Sequence, residues 1–192
     1  MKKEERHKVL AIPVTFTDDK PKFLTVRDRR FKEWLFISGG CRKREVSNPI
    51  RCALRELEEE TRGVVNVKSG LYTSYIFETT ERSPEELEED RREGVQVTIV
   101  YHVYIFFMKI NSAEQQDIIR KFNKEKAIIE LRKKEKLPIK RTYDENDFMS
   151  FDTLETFNRK NRWDLIVNKV IDNPDFYSAL NSLNRHSFNI RQ

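Results

Sequence analysis

The stretch WLFISGGCRKREVSNPIRCALRELEEETRGVV, residues 34–65, decides the fold of this chain. It runs from an apolar segment through a double glycine and a basic loop to a helix dense in carboxylates. On a helix of 3.6 residues per turn, Glu56, Glu59 and Glu60 stand at i, i+3 and i+4 and therefore share one face. Like charges at this spacing repel each other, and Mg²⁺ prefers oxygen ligands of this kind. The pattern predicts a divalent-metal site on this face.

The segment before the helix suits the same chemistry. Residues 34–37 are apolar and predict a short strand. Gly39 and Gly40 end it where a backbone carbonyl or amide can approach a metal ion or a phosphate closely. Three cations, Arg42, Lys43 and Arg44, follow at once. They suit an anionic substrate, and plain solvation explains them as well.

The helix itself has a recognisable start and an apolar side. Pro49 after Ser47 and Asn48 predicts the first turn. Arg55 precedes the acidic cluster and is expected to pair with one of its carboxylates, while Glu58 points away from them. The apolar residues expected to face a core are Ala53, Leu54 and Leu57.

The same residues resemble the Nudix box. Gly39 and Glu45 match its first spacing, and Arg55-Glu56-Leu57-Glu58-Glu59-Glu60 matches its core. The chain departs from the pattern twice. Nine residues separate Glu45 from Arg55 where the family has seven, and the closing glycine comes one place late, as Gly63.

The resemblance implies a Nudix fold and a hydrolase that cleaves a diphosphate linkage by attack of water on phosphorus. It implies Mg²⁺ or Mn²⁺ as cofactor and Arg55 as the residue that orients a glutamate. The base is then one of the box glutamates or Glu145 in a late acidic loop, with Asp144 as the second candidate. The implied metal-binding residues are Gly39, Glu45, Glu56, Glu59 and Glu60.

Length and composition are those of a folded globular protein. A chain of 192 residues suits one domain with a substantial core. Charged residues make up 36% but are mixed with aliphatic and aromatic runs, which argues against global disorder. Cys41 and Cys52 are too few for a disulfide framework or a cysteine-based zinc site. Without an apolar signal-peptide core or a run long enough for a membrane span, we expect a soluble cytoplasmic protein.

Apolar runs alternate with helical patterns, which predicts an α/β fold, an α/β/α sandwich on a mixed sheet. Residues 95–108 are apolar on both faces and are expected at the centre of the sheet. The predicted strands are residues 8–16, 22–30, 34–37, 64–67, 71–77 and 95–108, and the later predicted helices are residues 112–136, 154–171 and one ending near 183.

Two segments carry a strong local charge. Residues 78–93 hold eight acids and three arginines, a pattern typical of an exposed loop or short helix, although a carboxylate there is also a candidate metal ligand. Residues 120–141 hold ten cations and three acids, a net charge of +7 in a chain whose total is +5. This basic segment lies in a region, about 112–141, that we interpret as a helical insertion. It predicts contact with RNA or polyphosphate, and a solvated lysine-rich helix remains the alternative.

The substrate is open between two classes. Capped or 5′-phosphorylated RNA is favoured by the basic segment, by Arg27, Arg29 and Arg30 near the glycine turn, and by a looser likeness of GGCRKRE to mRNA-decapping Nudix enzymes of large DNA viruses. A small soluble diphosphate, such as a dinucleoside polyphosphate, a nucleotide sugar, a nucleoside triphosphate or an inositol pyrophosphate, is the alternative. A binding module without catalytic activity is a third hypothesis, because the box spacing is shifted.

Overall fold

Two long strands lie side by side at the centre of the sheet. The structure is a computed structural model and describes residues 1–67 and 70–191. Strand β1 (Lys2–Thr17) runs parallel to a later strand, Val95–Phe107, with partners from Lys2↔Val95 to Val14↔Phe107. The later strand lies between β1 and Tyr72–Thr79, so its predicted central position is confirmed.

The other strand pairs are antiparallel, so the sheet is mixed. Numbered along the chain, the remaining strands are β2 (Lys20–Asp28), β3 (Trp34–Leu35), β4 (Ile37–Gly40), β5 (Tyr72–Thr79), β6 (Val95–Phe107) and β7 (Asn146–Asp152). Their order in the sheet is β3-β2-β1-β6-β5, with β4 paired to β1 and β7 paired to β2.

Helices cover both faces of the sheet, each over its own apolar cluster. On one face, Cys52 and Leu57 of α1 (Pro49–Glu60) and Phe122 of α3 (Ser112–Lys134) pack with Val9 of β1. On the other, the last three helices bury aromatic and aliphatic side chains against the opposite side of β1 and β6. The predicted α/β/α sandwich is confirmed. The helices are α1 (Pro49–Glu60), α2 (Pro84–Glu93), α3 (Ser112–Lys134), α4 (Leu154–Asn158), α5 (Asp164–Ile171) and α6 (Pro174–Arg191).

The predicted strand at residues 64–67 is wrong. This segment has no strand pairing, yet Val65 and Val67 are buried beneath α1. Burial of a loop therefore accounts for the apolar residues that suggested a strand. The predicted inward position of Leu54 is also wrong, since its side chain is 41% exposed.

The predicted helix over residues 154–171 is wrong as a continuous element. It breaks between α4 and α5, where the backbone bonds to β3 instead of to itself. The Trp34 amide donates to the Asn161 carbonyl at 2.8 Å, and the Trp163 amide donates to the Trp34 carbonyl at 2.9 Å. Competition from a sheet edge therefore ends α4 early.

The predicted start of α1 and the predicted helix at α3 are both confirmed. Pro49 is the first residue of α1, and α3 carries most of the basic segment. The acidic segment contains α2, which Ser83 caps through its hydroxyl and Glu86. Across residues 1–67 and 70–191, no helix is long and apolar enough to cross a bilayer.

Candidate active site

Three carboxylates of α1 lie together on a largely buried face. Glu56, Glu59 and Glu60 are 8%, 7% and 8% exposed, respectively. Glu58 lies on the other side, where its carboxylate accepts a hydrogen bond from the Tyr143 hydroxyl. The helical spacing therefore places these four side chains as predicted.

Arg55 is the hub of this face. Its Nε and Nη2 donate to the two carboxylate oxygens of Glu45 at 3.0 and 2.9 Å, a two-point pair. Its Nη1 reaches Glu56 Oε1 at 2.6 Å and Glu59 Oε2 at 3.2 Å. Arg55 Nη2 also donates to the Gly40 carbonyl at 3.0 Å. One guanidinium thus joins the glycine turn, the loop glutamate and the helix.

Glu45 is a support of this hub. It ends a 3₁₀ turn (Lys43–Glu45), is 6% exposed, and accepts the Arg42 backbone amide at 2.8 Å. Hydrogen bonds from Arg55 lower the pKa of Glu45. The two extra residues after Glu45 have therefore not separated it from Arg55.

The glycine turn and the helix touch through Gly39. A Cβ built on Gly39 would lie 2.0 Å from the carboxyl carbon of Glu56. The backbone amide of the preceding residue, Ser38, hydrogen-bonds the Glu60 carboxylate. A side chain at position 39 would therefore displace a carboxylate of the acidic face.

Burial makes the ionised form of these acids unfavourable. It raises the pKa of Glu56 to about 7, against the favourable effect of Arg55 and with a further rise from Glu59 and Glu145. Burial also raises the pKa of Glu60 well above its ordinary value, and the charges of Glu56 and Glu145 add to that effect. A divalent cation bound beside these carboxylates would favour their charged forms.

The acidic side chains are arranged around Arg55 and not around a common metal position. Among the described residues, no three acidic, histidine or cysteine side chains form a ready metal cluster. Nevertheless, the donor set is entirely of oxygen, which is the set that Mg²⁺ and Mn²⁺ take.

Glu145 approaches this face from a separate loop. It follows a second 3₁₀ turn (Arg141–Asp144) and precedes β7. Its carbonyl accepts the Arg29 amide at 2.9 Å, beside a register shift between β2 and β7. Its own side chain is exposed, and desolvation together with the charges of Glu59 and Asp28 raises the pKa of Glu145. The loop thus brings a fourth carboxylate to the α1 acids.

A cleft of about 590 Å³ adjoins the acids. Glu60 and Glu145 lie in its wall together with the rings of Phe31 and Trp163. No lysine or arginine is among the lining residues in the described part of the chain. Five further acids line it: Asp28, Glu33, Glu85, Glu86 and Glu89.

The predicted substrate-binding cations lie outside this cleft. Arg27 makes a two-point pair with Asp147, at 2.9 and 2.8 Å. Arg42 lies near the acidic face, with Nη2 3.8 Å from Glu59 Oε1. Lys43 and Arg44 are exposed in the 3₁₀ turn. The structure therefore brings Arg42 to the acids and engages Arg27 elsewhere.

Comparison with known proteins is decisive at the family level. The family model of the NUDIX domain matches residues 6–149, about three quarters of the chain. The chain belongs to the Nudix family. This confirms the prediction of a Nudix pyrophosphohydrolase. No curated protein sequence matches the chain.

Solved structures of Nudix proteins share the fold at low identity. The NUDIX domain of Shewanella oneidensis NrtR, complexed with ADP ribose, is 13% identical with a TM-score of 0.50, covering 86% of this chain and 84% of that one. A C. elegans Ap4A hydrolase is 12% identical with a TM-score of 0.45, covering 95% and 96%. The first of these likenesses concerns the fold alone.

Sequence reasoning missed several residues in and around the candidate site. Phe31 and Trp163 carry no local motif, and they meet in one cleft only because β3 pairs with the segment before α5. The α2 acids were considered as metal ligands but not as a cleft wall. Arg62 was visible only as the residue that precedes the late glycine.

Proposed function

We propose that the chain, acting as one domain, is a Mg²⁺- or Mn²⁺-dependent Nudix hydrolase that removes the cap from capped RNA. The diphosphate linkage of the cap is cleaved by water, which releases a methylated nucleoside diphosphate and a 5′-phosphorylated RNA. We place this activity in the cytoplasm, because Cys41 and Cys52 are free thiols that a reducing compartment preserves.

The metal would be held by Glu56, Glu59 and Glu60, with the Gly39 carbonyl as a further oxygen donor. When bound, such an ion neutralises the diphosphate and lowers the pKa of the attacking water. Glu45 holds the Arg55 guanidinium in position through its two-point pair. Arg55 contacts only Glu56 Oε1 and Glu59 Oε2. The other oxygen of each carboxylate can therefore bind a cation while Arg55 keeps the pair oriented.

Glu145 is the residue that we assign to proton transfer at the attacking water. Its raised pKa makes it a better proton acceptor near neutral pH than an ordinary carboxylate. It lies both in the cleft and in a neighbouring hollow of about 380 Å³. A substrate that spans the two spaces would pass this carboxylate.

The composition of the cleft is the observation that carries the choice of substrate. A 7-methylguanine base is cationic, and an electron-poor ring is favoured by aromatic neighbours and acids. Phe31 and Trp163 supply the rings, and five acids besides Glu60 and Glu145 supply the negative wall. A free nucleotide would instead bring its phosphates to a wall without lysine or arginine among the described residues. The cleft thus favours the cap over a small diphosphate.

The RNA chain would leave the cleft through the neighbouring hollow. Arg29 and Arg30 line it beside Glu145. Lys133 of α3 pairs with Asp144 in the wall of this hollow, and α3 exposes further cations of the basic segment, among them Lys121, Lys124 and Lys134. This charge suits successive phosphates of a polynucleotide.

The test is release of m⁷GDP from capped RNA in the presence of Mg²⁺ or Mn²⁺, for wild type and Trp163→Ala. We expect release by wild type, with KM for capped RNA raised about tenfold in the variant, since stacking on one base is worth about 1–3 kcal/mol. RNA with an unmethylated cap is the matched substrate control and should be turned over less well. Hydrolysis of free dinucleotides without m⁷GDP release would assign the alternative, a hydrolase of small diphosphates. If the chain hydrolysed no diphosphate at all, the remaining hypothesis would be a binding module without catalytic activity.

A further inference from the structure

Arg62 occupies an unusual place directly after the acidic helix. The Nudix box closes with a glycine at this position, and here the glycine comes one residue later, as Gly63. Arg62 nevertheless adopts the left-handed backbone, with φ of 56°. A residue with a side chain is strained there by about 1 kcal/mol relative to glycine. The side chain is therefore expected to have a compensating role.

The guanidinium of Arg62 is buried and bonds to backbone carbonyls. The residue is 4% exposed. Its Nε donates to the Tyr143 carbonyl at 2.7 Å, its Nη2 to the Asn146 carbonyl at 2.6 Å, and its Nη1 to the Phe122 carbonyl at 3.3 Å. The guanidinium carbon lies 4.2 Å from the centre of the Phe122 ring. Burial lowers the pKa of Arg62, because these partners are neutral.

Two of these carbonyls flank Glu145. Tyr143 and Asn146 lie two residues before it and one residue after it. The Asn146 amide nitrogen also lies 3.3 Å from Glu60 Oε2. The end of α1 is thus tied on both sides of Glu145 to the loop that presents it.

We propose that Arg62 is a positioning residue that holds Glu145 at a fixed place relative to Glu56, Glu59 and Glu60. The proposal rests on the proposed function, in which Glu145 takes the proton of the attacking water. Arg62 links the α1 acids directly to the Glu145 loop. It lies in the segment that follows α1, and its side chain binds the segment that leads into β7.

A role in filling space alone does not account for these contacts. An apolar side chain over Phe122 would fill the volume without desolvating a cation, and glycine would remove the backbone strain. What only arginine supplies is a planar fork with donors pointing at two carbonyls at once. The geometry that requires this fork is the one that fixes Glu145.

Hydrogen–deuterium exchange tests the clamp without any assay of activity. In Arg62→Met, which keeps an unbranched stem over Phe122, amides of residues 141–146 should exchange at least about tenfold faster than in wild type. Arg51→Met, which replaces an exposed arginine of α1, is the matched control and should not change them. Unchanged exchange in Arg62→Met would overturn the proposal.

Kinetics test the consequence for Glu145. We expect Arg62→Met to lower kcat for cap hydrolysis about 10–100-fold, the range typical of a residue that orients a site group, with KM within about threefold. In a Glu145→Gln background the same change should have no further effect on kcat, because its target is already absent. Full additivity of the two effects, or a Glu145→Gln variant with wild-type kcat, would refute the positioning role.

Two further variants distinguish the role of the Arg62 guanidinium from the effect of its left-handed backbone conformation. Arg62→Gly relieves the left-handed strain but removes the fork, and it should lose kcat as Arg62→Met does. Arg62→Lys keeps a charge and a long stem, so it covers the case in which Arg62→Met does not fold. Wild-type kcat in either variant would contradict the proposal. If wild type hydrolyses no diphosphate, the proposed function fails, while the exchange experiment still decides whether Arg62 holds the loop.

Discussion

The carboxyl group of Glu56 fills the space in which a side chain of Gly39 would stand. A Cβ on Gly39 would lie 2.0 Å from the Glu56 carboxyl carbon and 2.3 Å from each of its oxygens. Because that carboxyl is the end of a flexible side chain, Gly39→Ala should fold normally and displace Glu56. We expect kcat to fall at least about tenfold, since small misplacements of a site group have large effects, with a melting temperature within about 2 °C of wild type.

Gly40→Ala is the matched control for this prediction. A Cβ on Gly40 meets nothing within 4 Å among the described residues, and the carbonyl that accepts from Arg55 is kept. Its kcat should stay within about twofold of wild type. Equal loss of activity in both variants would show that the turn, and not the contact with Glu56, matters.

Neutralising single acids of α1 should separate its two sides. Glu59→Gln and Glu60→Gln each remove a carboxylate from the buried face. We expect them to lower kcat at least about 100-fold, because they weaken binding of the metal ion on which hydrolysis depends. Glu58→Gln, on the exposed side, keeps an acceptor for the Tyr143 hydroxyl and should lose less than about threefold. Steady-state hydrolysis of a diphosphate panel measures all three. Unaffected hydrolysis in Glu59→Gln and Glu60→Gln would show the metal assignment to be wrong.

Local periodicity was sufficient to predict the acidic face. The i, i+3, i+4 spacing of Glu56, Glu59 and Glu60 holds in any α-helix, and Pro49 fixed where that helix begins. Apolar residues on both faces likewise predicted the central position of β6, most of whose residues are buried. These features depend on residues close together in sequence, so a single sequence is enough.

Contacts between distant segments could not be predicted in the same way. Trp163 reaches the cleft because β3 captures the backbone at residues 161–163 and ends α4. Arg27 pairs with Asp147 because β2 lies next to β7, which withdraws a cation that looked available for phosphate. Neither outcome is encoded by local pattern, since each depends on which strands become neighbours.

Stability should depend on pH through Glu56 and Glu60 when no metal is added. Their pKa values are raised in the folded protein, that of Glu56 to about 7. Between the ordinary value of 4.5 and about 7, the folded state therefore binds more protons than the unfolded state. The free energy of unfolding should thus fall as pH rises through this window. Melting curves from pH 5 to 8 measure it, and Glu56→Gln should flatten the curve.

The same shift predicts when a metal stabilises most. Mg²⁺ or Mn²⁺ binds ionised carboxylates. At lower pH the metal ion must compete with protons for Glu56 and Glu60, whereas at higher pH these carboxylates are already ionised. At about 100 times its dissociation constant, a metal adds about 2.7 kcal/mol, so we expect a rise in melting temperature of about 5 °C or more at pH 8 and much less at pH 5.5. An equal rise at both pH values would contradict the assignment of these glutamates.

Arg27 should act on stability and not on substrate binding. Burial alone raises the pKa of Asp147, but hydrogen bonds from Arg27 and Lys32 outweigh it and bring that pKa to about 2, below the ordinary 3.8. The pair therefore stabilises the fold above about pH 4, and its contribution is lost as pH falls towards 2. Because water screens part of the pair, Arg27→Met should lower the free energy of unfolding by about 1 kcal/mol at pH 7, a fall of about 2–4 °C in melting temperature. KM for capped RNA should stay within twofold of wild type. A KM raised fivefold or more at an unchanged melting temperature would instead return Arg27 to the substrate-binding residues, as the sequence alone suggested.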